Sequence, residues 1–317
     1  MNNSHSVLEP MQKYMHVLNM NGLQGRMLKI PSSKYRKSQI MLIYGHHASL
    51  ERIFGIAEAL SDYGSVTVPD LPGFGGMESF YKIDMKPTLD NMADYLASFV
   101  QLRYKGRKVA IVGMSLGFVI VTRMLQRYPE LIDKVDILIS FVGFTHSYDM
   151  KFTSMRKLGY RSAANLFTRK IPSLLFLNLA LHPSAIKTVY SKTFNAKKKL
   201  ANLSERDKKA SLDFEVTLWR DNDVRTYMQM TEVMLTLDNC QVQIAMPVHH
   251  VSIEQDQYFD NTVVEQHMRV IFTDFTEHPA SMPAHAPSIL ANKKDAKPFV
   301  PKSLAKLLKK RAEAHTK

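Results

Sequence analysis

A serine hydroxyl is a poor nucleophile unless the fold exposes its Oγ to a base. Residues 108–117 read Lys-Val-Ala-Ile-Val-Gly-Met-Ser-Leu-Gly, an apolar run that breaks into Gly113-x-Ser115-x-Gly117. Val109, Ala110, Ile111 and Val112 suit a buried parallel strand, and Phe118, Ile120, Val121, Met124 and Leu125 follow at helical spacing. A serine on so sharp a strand-to-helix turn is held in a strained backbone conformation with its Oγ clear of the sheet. The two glycines leave room for strand and helix to pack closely. Outside that context the same five residues would mean only a turn serine capping the helix at Leu116.

The chemistry open to such a serine is acyl transfer, and it needs a base together with a group that holds the base's tautomer. In a parallel α/β sheet both belong on loops at the carboxyl ends of strands. For this turn type the chain order is serine, acid, histidine. His285 follows the strand-like run Met268–Asp274 through a Pro-containing loop and precedes the last helical stretch. His278, nearer the strand end, is the competing base. Asp256 follows the run ending near Ile253 and is the first choice of acid, with Asp260 and Asp149 open as others. Asp260 also reads as a helix N-cap. His249 and His250 fall inside a strand run, where a buried hydrogen-bonded histidine is the ordinary role. Neither they nor His46-His47 show metal-ligand spacing, so no metal and no cofactor is expected. An oxyanion needs backbone N–H donors, each contributing roughly 10²–10³ in rate. The residue after the serine, Leu116, supplies one, and His46 in the glycine turn Tyr44-Gly45-His46-His47 supplies the second.

The elements that must carry these residues alternate as in a mostly parallel α/β sheet. Strands are predicted at Gln39–Tyr44, Ser65–Pro69, Lys108–Val112, Val135–Val142, Gln241–Ile253 and Met268–Asp274. Helices are predicted at Leu50–Leu60 and Leu89–Leu102, the latter from Met92, Tyr95, Leu96, Phe99 and Val100 at i, i+3, i+4, i+7 and i+8. Residues 14–30 predict an edge hairpin turning at Asn21-Gly22. After Gly143 the alternation stops for nearly a hundred residues, and helical stretches rich in Lys, Leu and Met replace it, among them Ser173–Leu181 and Ser211–Leu237. This predicts a core of residues 1–144 and 241–317 with a helical cap, 145–240, inserted between two sheet strands. The leucine cluster from Leu174 to Leu181 is too short to span a bilayer.

Taken together these residues resemble the α/β-hydrolase superfamily, specifically its cap-bearing serine esterases and lipases. The likeness rests on Gly113-Met114-Ser115-Leu116-Gly117, on Asp70-Leu71-Pro72-Gly73-Phe74-Gly75 after a strand, and on His285-Ala286-Pro287-Ser288. It implies Ser115 as nucleophile, Asp256 as acid, His285 as base, and a mostly parallel sheet flanked by helices. Three departures stand out: Tyr44-Gly45 replaces the family's His-Gly, Ile253 replaces a glycine three residues before the acid, and Phe118 replaces a frequent glycine after the elbow, where it would crowd one wall of the pocket. Serine at the elbow argues against epoxide hydrolases and haloalkane dehalogenases, which use aspartate there. The implied activity is cleavage of a carboxylic ester with an apolar acyl part through an acyl-enzyme on Ser115. The alternatives are an acyl-thioesterase or carbon–carbon bond hydrolase with the same triad, or a hydrolase fold kept as a binding module.

Composition bounds the rest. A chain of 317 residues, 45% hydrophobic, can bury a large core. Cys240 is the single cysteine, so no intrachain disulfide is possible. Met1–Met20 contains no apolar run long enough for a secretory signal, and a cytoplasmic protein is expected. The net charge of +13 is uneven. Residues 145–240 hold 16 Lys+Arg against 9 Asp+Glu, and residues 292–317 hold 9 against 2. The expected partners are a small-molecule ester and, at the periphery, an anionic membrane or an acidic carrier, with no specific nucleic-acid binding. In the C-terminal stretch, Leu304, Leu307 and Leu308 form an apolar stripe among lysines, as in an interfacial helix or in a helix docked on the sheet.

Overall fold

The computed structural model describes residues 10–192, 204–281, 285 and 293–314. Eight strands form one sheet in the order β1-β2-β4-β3-β5-β6-β7-β8. β1 (Met15–Met20) and β2 (Leu23–Ile30) make the edge hairpin. Its turn residues Asn21 and Gly22 both have positive φ, 53° and 78°, the backbone that matches a two-residue loop to twisted strands. β2 runs antiparallel to β4 (Ser65–Pro69), and every later pairing is parallel: β3 (Gln39–Ile43) with β4 and β5 (Val109–Met114), then β6 (Val135–Phe141), β7 (Ile244–Ile253) and β8 (Phe272–Ala280). Every residue of β5 is buried, as expected of a strand covered on both faces. The covering helices include α1 (Leu50–Leu60), α2 (Leu89–Arg103) and α3 (Leu116–Arg127).

Between β6 and β7 the described residues form helices α4 (Ser154–Phe167), α5 (Lys170–Leu179), α6 (Pro183–Lys192), α7 (Glu205–Asp221) and α8 (Val224–Thr236). They share a small core of their own in which Ala164, Leu181, Ile186, Val216, Val224 and Met228 meet. The two ends of the segment are tied together: Ser147 N–H donates to Leu237 O at 2.8 Å and Asn239 N–H to Thr145 O at 3.1 Å. The single helix predicted over Ser211–Leu237 is two. It breaks where Asp223 caps α8 by accepting from Thr226 N–H at 2.8 Å, and where Asn222 Oδ1 accepts from Gly75 N–H at 2.9 Å.

The last strand also differs from expectation. Asp260 accepts from Thr262 and Val263 N–H and starts a helix, α9 (Asn261–Ile271), whose buried Val264, Met268 and Ile271 fall at helical spacing. β8 therefore begins at Phe272 rather than Met268, and it contains His278 within it. A short turn α10 (Lys293–Ala296) precedes α11 (Lys302–Ala314), which buries Leu304, Leu308 and Ala312, the two leucines within the main core. The leucine stripe of the C-terminal helix thus faces the sheet.

Candidate active site

Ser115 joins β5 to α3 with φ 48° and ψ −120°, a left-handed conformation that costs free energy in any residue with a Cβ. The turn is locked by Ser115 N–H donating to Phe141 O at 3.0 Å, and by Phe118 N–H donating to Ser115 O at 3.0 Å. Its glycines are needed for space. A Cβ on Gly113 would lie 2.6 Å from Phe118 Cα, and one on Gly117 would overlap the carbonyl oxygens of Ile43 and Tyr44. Phe118 does not crowd a pocket wall. Its side chain is fully buried, with the ring 5.9 Å from that of Phe272 and packed where a Cβ on Gly143 would fall, so it fills the core beneath the helix.

The loops after β7 and β8 bring two more residues to this turn. His285 Nδ1 lies 2.6 Å from Asp256 Oδ2, and His285 Nε2 lies 3.3 Å from Ser115 Oγ. An ionised carboxylate only accepts, so the ring proton sits on Nδ1 and Nε2 is left to accept from the hydroxyl. Asp256 and His285 are both buried. Burial works against ionising Asp256, but the bond from His285 and the amides of Tyr258 (2.7 Å) and Phe259 (3.2 Å) outweigh it, and the carboxyl is held below its usual range. Asp256 N–H donates to Ile253 O at 3.1 Å, so the turn forms with isoleucine at 253. The rings of Tyr258 and Phe259 flank His285 at 5.3 and 5.1 Å, and Phe259 stacks on Phe144 at 4.6 Å. Neither aromatic residue was singled out from sequence, although an Asp followed at its second and third positions by residues whose amides it can accept from is an Asx-turn pattern.

The loop after β3 passes over the serine. A Cβ on Gly45 would sit 2.9 Å from Ser115 Cβ and 3.5 Å from its Oγ, so only glycine permits this approach. Leu116 opens α3, and its amide is among the first-turn donors that have no partner within the helix. The next residues of the β3 loop are gripped by α7 and α8. His46 Nε2 is 3.0 Å from Tyr227 O, its ring lies 3.9 Å from the Tyr227 ring, and burial lowers its imidazole to about 3, so it is neutral at physiological pH. His47 has φ 54° and its Nε2 is 2.9 Å from Glu215 Oε2. Arg52 donates to His47 O at 3.0 Å and to Glu215 Oε1 at 3.3 Å. Below, the Tyr44 hydroxyl donates to Asp70 Oδ1 and accepts from Leu71 N–H, both at 2.9 Å, joining the Asp70–Gly75 loop to the same frame.

No curated protein matches the sequence. The family described as serine aminopeptidase, S33, matches residues 34–276. The chain belongs to this family of α/β-hydrolases. Among solved structures, an epoxide hydrolase of Bacillus megaterium is 16% identical with a TM-score of 0.63, over 94% of this chain and 100% of that one. A putative lipase of Acinetobacter baumannii is 16% identical with a TM-score of 0.60, over 99% and 98%. An N-acyl homoserine lactonase is 15% identical with a TM-score of 0.60, over 94% and 97%. These neighbours differ in chemistry, so the likeness establishes the α/β-hydrolase fold and leaves the bond cleaved to be argued from the site.

The other candidates in this α/β-hydrolase lie elsewhere. Asp149 is buried and engaged with His267 Nδ1 at 2.5 Å and with the amides of Thr145 and His146. Asp260 caps α9. His278 is bonded to Ser303 Oγ at 2.8 Å and lies 3.3 Å from His249, and His250 lies 2.9 Å from Ser140 Oγ. The Ala286-Pro287-Ser288 part of the sequence motif lies outside the described residues. Among the described residues no helix is long and apolar enough to cross a membrane.

Proposed function

We propose that this α/β-hydrolase is a serine hydrolase of carboxylic esters with an apolar acyl part. One observation carries the reading: a single imidazole, His285, touches both Asp256 and Ser115. In this reading Ser115 Oγ attacks the ester carbonyl carbon while His285 Nε2 takes the hydroxyl proton. Asp256 keeps the imidazole in the required tautomer and stabilises the imidazolium. The carbonyl oxygen, now an anion, is held by the amides of Leu116 and His46. The tetrahedral species collapses, the alkoxide leaves with the proton from His285, and an acyl-enzyme remains on Ser115. Water, deprotonated by His285, attacks it, releases the acid and restores the serine. The partly exposed ring of Tyr258, 5.3 Å from His285 and next in the chain to the buried Phe259 that stacks on Phe144, favours an apolar acyl group over a charged one.

The proposed division is a catalytic core of residues 1–144 and 241–317 under a cap of 145–240, supported by the separate small core of the segment and by its tied ends. A fluorophosphonate probe should label the wild type and not Ser115→Ala, and hydrolysis of p-nitrophenyl esters should fall by at least about 10³-fold in that variant. Labelling of both proteins, or of neither, would overturn the proposal. Esters graded by acyl length report the substrate class directly.

A further inference from the structure

Among the described residues, the exposed apolar surface is concentrated on the first two α-helices after β6. In α4, Met155, Leu158 and Leu166 share one face at i, i+3 and i+11, and the first two are 87% and 67% exposed; of this helix only Ala164 is buried. In α5, Ile171, Leu174 and Leu175 share a face at i, i+3 and i+4, and Ile171 is 72% exposed. An amphipathic helix ordinarily turns such a face to the core, as α11 does with Leu304 and Leu308. Here the arrangement is reversed on two consecutive helices. Charge on the same stretch is one-sided: from Lys151 to Lys192 there are eight Lys and Arg and no Asp or Glu.

Apolar side chains on helices that carry only cations of their own, with Glu232 of α8 the acid beside them, 3.9 Å from Arg161, match one kind of partner in both respects. An anionic lipid surface offers phosphates to Arg156, Arg161 and Lys170 and an acyl boundary to the leucines. A second copy of the chain would bring two surfaces of net positive charge together, and repulsion would oppose burial of the leucines. An acidic protein would satisfy the cations by charge alone. We propose that the outer faces of α4 and α5 seat this protein on anionic membranes, with Ile171, Leu174 and Leu175 at the headgroup boundary. The seat needs no serine chemistry, so it stands or falls apart from the hydrolase proposal.

The test is cosedimentation of the full chain with vesicles of phosphatidylcholine and of phosphatidylcholine mixed with phosphatidylglycerol. The wild type should partition onto the mixed vesicles and come off as salt is raised. Ile171→Asp with Leu175→Asp should weaken partitioning at least about tenfold, since each leucine-sized side chain contributes more than that factor when buried. Met155→Ser with Leu158→Ser, likewise at exposed positions and so tolerated by the fold, should weaken it as well. Ser115→Ala should bind as the wild type does, and so should Lys306→Glu with Lys309→Glu on α11. The proposal is overturned if the wild type ignores the mixed vesicles, if the α4 and α5 variants bind undiminished, if binding follows the α11 charges instead, or if the same apolar residues prove to hold a concentration-dependent dimer.

Discussion

At the scale of single residues, the proposed mechanism is a chain of dependencies, and each link has a stated physical job. In it Ser115 gains a base because His285 Nε2 is within 3.3 Å, and Nε2 is an acceptor because Asp256 holds the other nitrogen at 2.6 Å. Asp256→Asn should therefore leave the fold intact and reduce kcat by about 10³–10⁴-fold, because an amide can hold the wrong tautomer. Ser115→Ala and His285→Ala should each cost nearly as much as the two together, since a unit cannot be broken twice. Full additivity of the two in steady-state kinetics on p-nitrophenyl esters would mean that they act separately. Sequence alone made Ser115 legible, because its signal is local: glycines, strand and helix adjoin it within a dozen residues. Chain order pointed to Asp256 and His285, and the fold brings these two, rather than Asp149, Asp260 or His278, to the serine. What the sequence did not carry were the Tyr258 and Phe259 contacts, which depend on how a loop turns.

At the scale of elements, the sheet's carboxyl edge does the assembling, and α7 and α8 hold the third loop. Periodicity made most strands and helices legible, but it failed where a cap residue overrides it: Asp260 starts a helix inside a stretch that reads as strand, and Asp223 divides one that reads as a single helix. Glu215 left no signal at all, because its partners His47 and Arg52 are more than 160 residues away in the chain. Its carboxylate is buried, and it braces the loop that carries His46. Glu215→Ala should lower stability by about 3 kcal/mol in urea unfolding, the usual scale for removing one member of a buried ion pair. If the His46 amide holds the oxyanion as proposed, the variant should also lower kcat more than it raises KM, because a displaced donor is missed chiefly in the transition state. Glu215→Gln, which can still bond to both partners, should recover much of kcat. A variant that loses stability while kcat stays at the wild-type value would separate Glu215 from the loop's function.

At the scale of the whole molecule, the buried sheet sets how the protein responds to acid. His250 sits in β7 with its Nδ1 2.9 Å from Ser140 Oγ and is almost entirely buried. Burial is the main reason its imidazole is held down at about 3; the field of Asp256 opposes this and His278 adds to it. The folded value thus lies below that of an unfolded histidine, about 6.5. Above about 6.5 neither state binds the proton and the group contributes nothing to the pH dependence. As pH falls below it the unfolded chain takes a proton that the folded chain refuses, so stability declines by about 1.4 kcal/mol per pH unit until the folded value is reached. His46, held equally low, acts in the same direction. His250→Asn keeps a polar partner for Ser140 and removes one such proton. Urea midpoints measured from about pH 7 to about pH 4.5 should fall in both proteins, with the variant's stability slope shallower by up to about 1.4 kcal/mol per unit. Parallel lines would mean that His250 is protonated in the folded protein at mildly acidic pH, and that the core around β7 admits a charge its packing argues against.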